Sequence, residues 1–194
     1  EVALEAALES GLLAADTQAV TVRHPLVRSA IYQAATGEQR RRVHRALADA
    51  LAGAGEADRE AWHRAAAAEG PDPGVVTALE LVGSRAQRRG GYVAALAAYE
   101  RAAALSTDAV QRANLTFAAA RSAWACGQAG HARVLLSAAL EAATDPVLLC
   151  DIARLRGHIE VNIGSATDAH RIFVEAAQAV HRIDEDFSAA ADHN

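Results

Sequence analysis

The sequence contains neither lysine nor methionine, and all 19 of its basic residues are Arg. Without Lys there is no P-loop lysine, no Schiff-base lysine and no Ser–Lys dyad. A complete Walker-type nucleotide hydrolase is thereby excluded from these 194 residues. With no initiator Met, and with Glu1 opening inside a helical pattern, the chain reads as a piece of a longer protein. No run of about 18 apolar residues is present, so no membrane-spanning helix is expected, and no signal peptide is visible. Acidic residues outnumber basic ones, 24 to 19, and the net charge of −5 argues against direct binding of nucleic acid. Cys126 and Cys150 form no CxxC motif. Both lie in apolar helical stretches, which predicts buried free thiols and a reducing, cytoplasmic compartment.

Catalytic patterns are equally scarce. The eight His residues are scattered, with no HExxH motif and no Cys at ligand spacing, so no metal site is expected. There is no GxGxxG, and no Ser–His–Asp order or carboxylate pair stands out. Arg40, Arg41, Arg42 and Arg45 lie opposite an apolar helix face with no aromatic among them. They read as a solvated face or a contact with another module rather than a phosphate site. Arg85, Arg88 and Arg89 read the same way. Nothing here makes the chain an enzyme or gives it a cofactor of its own.

What the sequence does carry is helical periodicity. Residues 1–10 form one helical stretch that Gly11 can end. Two short runs flanking Asp16-Thr17-Gln18, the second of them AVTVR, predict a small β-hairpin, the one strand signal in the chain. Pro25 suits the first turn of a helix that turns Leu26, Val27, Ala30 and Ile31 inward. Thr36 and Gln39 match a capping box. The helix they open has Val43, Ala46, Leu47, Ala50 and Leu51 on its inner face. Gly53-Ala54-Gly55 breaks it, and Asp58 is placed to cap the next helix, which contains Trp62. Gly70-Pro71-Asp72-Pro73 is the clearest boundary, with Asp72 as N-cap and Pro73 at the first helical position.

Beyond that boundary the chain repeats. Gly90, Gly127 and Gly164 are spaced 37 residues apart. The same step relates Gly83, Ala120 and Gly157; Ala95, Ala132 and Ala169; Tyr99, Leu136 and Phe173; and Ala102, Ala139 and Ala176. Small residues recur where helices must approach closely, and large ones recur where helices wedge together. Such a period means stacked helix pairs.

The first unit resembles a tetratricopeptide repeat: Leu79, Val82, Gly83 and Ala86, then Gly90, Tyr92, Ala95, Tyr99 and Ala102. The later units depart from that pattern. Ala129 and Ala166 stand where the turn tyrosine belongs, and the step exceeds the family's period of about 34 residues. The resemblance covers residues 74–182, about three degenerate repeats. It implies a groove lined by the first helix of each pair. The lining would be Glu80, Ser84 and Gln87; then Asn114, Phe117, Arg121 and Trp124; then Asp151, Arg154, His158 and Asn162. Phe117 and Trp124 either mark a binding surface there or turn into the core.

A second resemblance lies upstream. VTVRHPLVRSAIYQAATGEQRRRVHRALADAL is similar to the region after the NTPase core of large LuxR-type regulators of actinobacteria, which belong to the MalT-like signal-transduction ATPases. It implies the last part of a winged-helix domain in residues 1–35, connector helices in 36–70 and a helical sensor array in 71–194. Arg23-His24-Pro25 resembles the MHD motif of related ATPases, and only its His carries over. His24 would touch an ADP phosphate in the full-length protein; otherwise it caps or packs at a helix start.

The expected fold is therefore all-α, apart from one hairpin. The expected function is that of a sensor segment. It would relay an effector, whether a small molecule, protein or peptide, to an ATPase module of the same chain and to a LuxR DNA-binding domain. ATP or ADP would belong to the parent protein, and exposed ends could support a homo-oligomer. A helical-repeat interaction scaffold, or the regulatory module of a cyclase or kinase, is the alternative.

Overall fold

The structure, a computed structural model, describes residues 2–15 and 20–191. In chain order the elements are α1 (Val2–Glu9), β1 (Leu13–Ala15), β2 (Val20–Val22), α2 (Pro25–Ala34), α3 (Gly37–Leu51), α4 (Ala57–Ala67), α5 (Pro73–Arg88), α6 (Tyr92–Leu105), α7 (Ala109–Ala125), α8 (Ala129–Ala142), α9 (Pro146–Ile163) and α10 (Ala166–Ala191). The chain is mostly helical. Its single sheet among the described residues is an antiparallel hairpin that pairs Leu13 with Val22 and Ala15 with Val20. The Asp16-Thr17-Gln18 turn lies outside the described residues.

Local chemistry sets where the helices begin. Asp72, Asp108 and Asp145 each stand at an N-cap and accept from the backbone N–H groups that open α5, α7 and α9. Pro73 and Pro146 follow directly, where a missing N–H is harmless. Thr36 and Gln39 form the reciprocal capping box of α3. At α4 the start differs from the sequence expectation. The N-cap is Glu56, without a side-chain cap bond, and Asp58 lies in the first turn, where its carboxylate accepts from Arg85 of α5. A carboxylate one turn into α4 faces its neighbour rather than its own helix end.

Consecutive helices pack in pairs: α5 with α6, α7 with α8 and α9 with α10. The 37-residue step has a direct packing cause. Gly83 of α5 sits under the ring of Tyr99 on α6, and Gly157 of α9 sits under Phe173 on α10. The middle pair has Ala120 and Leu136 at these positions, both fully buried. Gly90 and Gly127 take φ of 75° and 80°, a left-handed turn that an L-residue with a Cβ resists. Gly164 does not share it: it closes α9 with a φ of −119°.

Helices α3 and α4 also pack together, and α4 rests on α5. Gly53, 37 residues before Gly90, turns between them with a φ of 75°. Ala61 and Ala65 are buried, as are Ala98 and Ala102 one step later. Arg101 of α6 reaches back and donates to the carbonyl of Ala65 at 2.6 Å.

The core is built mainly of Ala, Leu, Val and Ile, with Tyr99 and Phe117, and runs from α4 to α9. It does not extend into α2. Leu26 and Ile31, expected inward, are 72% and 54% exposed, and α2 buries no residue. Val43 and Leu47 of α3 are likewise 55% and 42% exposed, and α3 buries only Ala48. Among the described residues no element packs over this face. Cys126 is half-buried, but Cys150, on α9, is exposed, against expectation.

Candidate functional site

The first helices of the second and third repeat pairs, α7 and α9, diverge enough to leave a cavity of about 510 Å³. Phe117, Arg121 and Trp124 line it from α7, and Arg154, Leu155 and His158 line it from α9. Residues three and four apart on a helix share a face, so each helix presents its set together.

Phe117 forms the floor. It is only 8% exposed and belongs to the core. Trp124 is half-buried, packed against the core on one side, and meets His158 edge to face. The ring centroids are 5.7 Å apart and the planes 89° apart, the arrangement that aromatic quadrupoles favour. Arg121 is exposed and forms no ion pair among the described residues. Arg154 is held by Asp151 of its own helix at 2.9 Å, and its side chain remains 77% exposed. Such a pair contributes little to stability and leaves the guanidinium open to a second partner.

The remaining groove positions divide between two places. Gln87 of α5 accepts from the Tyr99 hydroxyl at 3.4 Å. Burial, and next the nearby Glu80, push the Tyr99 phenol above its ordinary range; Arg121 and Arg88 oppose that rise. Glu80, Arg88 and Arg121 are thus the charges that act on this phenol. Ser84 is engaged by Arg88 at 2.7 Å. Asn114 and Asn162 turn their amides back to the carbonyls of Val110 and His158 in the preceding turn, which leaves less of each amide for a ligand. Leu155 lines the cavity beside Arg154 and was not singled out from the sequence.

His24 caps α2: its Nδ1 accepts from the Leu26 N–H at 3.2 Å. The ring's Nε2 is not used by that cap. Among the described residues no group of three or more His, Cys, Asp or Glu side chains is placed to hold a metal ion. No helix of the described residues is long and apolar enough to cross a membrane.

In chemical terms the groove offers an apolar floor, an aromatic wall and two guanidinium groups. Such a surface can hold an anion or an acidic side chain beside an aromatic or apolar group. In comparisons with known proteins, no family model, no curated protein and no solved structure matches the chain.

Proposed function

We propose that the chain is a sensor segment whose inner groove receives an acidic effector, either a small molecule or an acidic peptide. The observation that carries this reading is the cavity between α7 and α9, where Arg121 and Arg154 stand beside Trp124 and His158. We assign the helix pairs from α5 onward to a degenerate tetratricopeptide-type array, on the strength of the 37-residue step and the Gly83–Tyr99 and Gly157–Phe173 contacts.

The setting we propose is a LuxR-type ATPase regulator. The hairpin and α2 would end its winged-helix domain. Occupancy of the array would be relayed to an ATPase module in the same polypeptide and on to a DNA-binding domain. The similarity of residues 20–51 to that class supports this assignment. His24 would then turn its free Nε2 toward an ADP phosphate, since an imidazole N–H can donate there while Nδ1 caps α2.

The test uses Trp124 as reporter, in a Trp62→Phe background. A Glu–Phe peptide should change Trp124 fluorescence, while the matching Gln–Phe peptide should not. Arg121→Gln with Arg154→Gln should weaken the response by about tenfold or more, as expected for a lost charge-assisted pair. Equal responses to the two peptides would refute an acidic preference. The regulator setting is tested separately, on the parent gene: it requires a Walker motif encoded before Glu1 and a helix-turn-helix after Asn194.

A further inference from the structure

An opening larger than the groove cavity lies away from it. It is a cleft of about 730 Å³ bounded by β2, α2, α3 and α4. That volume falls in the ordinary range for small-molecule sites, roughly 300–1,000 Å³. Its walls are mainly apolar, with Val22, Ile31, Val43 and Leu47 lining it and the Tyr32 ring among them. Val22 is half-buried, but Ile31, Tyr32, Val43 and Leu47 are exposed, so the apolar surface is accessible from solvent.

The polar groups around the cleft are all basic or neutral. Arg28, Arg40 and Arg42 line it together with His44 and His63, and no Asp or Glu does, although the chain has 24 acidic residues. Elsewhere in this part of the molecule carboxylates find arginines: Glu69 takes Arg41 and Arg45, and Glu60 takes Arg64. The three arginines of the cleft form no ion pair among the described residues. Arg40 is also positioned. Its guanidinium carbon lies 5.2 Å from the centroid of the Tyr32 ring, a cation–π contact that fixes the charge at the edge of the apolar wall.

The wall itself is tied together. The Tyr32 hydroxyl and His44 Nε2 are 3.3 Å apart, and His44 Nδ1 and His63 Nδ1 are 2.9 Å apart, one donating and the other accepting. This chain of three rings links α2, α3 and α4 across the back of the cleft. The cation is thus held before any ligand arrives, which lowers the ordering cost of binding.

We infer that this cleft binds an amphiphilic anion, a ligand with one apolar body and one carboxylate, the body lying against Ile31, Val43 and Leu47 and the carboxylate on Arg40. Charge complementarity decides the class. A neutral apolar ligand would leave three unpaired guanidinium groups beside it, and a small polar anion would leave the apolar wall wet. The inference does not depend on the inner groove, since the two sites share no residue.

Calorimetry on the whole chain with octanoate, 1-octanol and acetate tests it. Octanoate should bind, 1-octanol should bind at least about tenfold more weakly, and acetate should give no signal. Arg40→Gln should weaken octanoate by about tenfold and leave 1-octanol unchanged, while Val43→Asp should abolish both. Neither side chain is buried in the core, so circular dichroism should show the fold retained, and Arg171→Gln on α10 serves as the remote control. Octanol binding as tightly as octanoate would overturn the anion class. No binding of either probe would overturn the site. If sedimentation then shows self-association that Val43→Asp removes, the face is instead covered by a second copy of the chain.

Discussion

Gly83 and Tyr99 are in direct contact: a Cβ added at Gly83 would lie 2.7 Å from Cε1 of the Tyr99 ring. The tyrosine ring occupies the space a Cβ would take, and this lets α5 and α6 approach closely enough to bury Val82, Ala95 and Ala98.

Gly83→Ala should therefore destabilise the chain although Ala is the better helix former. Overpacking of this kind costs roughly 1–3 kcal/mol, more than the roughly 0.5–1 kcal/mol that Ala gains in a helix. Gly130 in α8 is the control, because a Cβ there would meet nothing within 4 Å. Gly130→Ala should leave the urea midpoint unchanged or raise it slightly. A Gly83→Ala variant as stable as wild type would mean that the ring can move aside at no cost.

Trp124→Ala should cost about 1.5–3 kcal/mol, below the roughly 3–5 kcal/mol of a wholly buried Trp, because one side of the indole faces the groove. Its emission should lie to the blue of Trp62, which is more exposed. Thermal melts and single-Trp spectra check both points. A loss under about 0.5 kcal/mol would place the indole outside the packed structure.

Asp72→Ala should cost about 1 kcal/mol, since Asp72 Oδ1 accepts from Gly74 N–H at 3.0 Å and Val75 N–H at 3.1 Å. Asp72→Asn should recover most of that loss. A urea titration of the two variants separates capping from charge.

Stability should fall as the solution becomes acidic, through His63. Burial, then His44, then Arg59 lower its pKa below the ordinary 6.5. Tyr32 of α2 and Arg40 and Arg42 of α3 also face this cluster, and none of them adds a carboxylate to favour the imidazolium. The unfolded chain thus binds a proton more readily than the folded one. The contribution is complete above the unfolded pKa and is lost as pH falls through the folded one. The urea midpoint should drop between pH values just above and well below that range, and His63→Phe should flatten the drop. An unchanged slope in that variant would assign the acid sensitivity to other groups.

The elements were legible where the signal is local. Thr36 with Gln39, and Asp72 with Pro73, announce helix starts because the Thr36, Gln39 and Asp72 side chains satisfy backbone N–H groups two or three residues away and Pro73 has no N–H to satisfy. The 37-residue step was legible because close helix contact demands a small residue opposite a large one, and Gly83, Ala120 and Gly157 keep that size while their neighbours vary. The packing of α3 on α4 escaped notice although Gly53 stands one step before Gly90. The Arg-rich α3 masks the pattern, and Trp62 replaces Tyr99 on a helix whose buried face is only alanine.

By itself, then, the sequence determined the helices, their caps, the turns and the small-against-large contacts within each pair, since all of these depend on neighbours a few residues or one step apart. Only the tertiary structure decided which faces become surface. It put Phe117 in the core while the adjoining turns opened Arg121 and part of Trp124 to a cavity. It also left Val43 and Leu47 exposed beside arginines that form no ion pair among the described residues. Periodicity fixes which side chains share a face of a helix. Whether that face is buried depends on what packs against it, and no spacing along the chain contains that information.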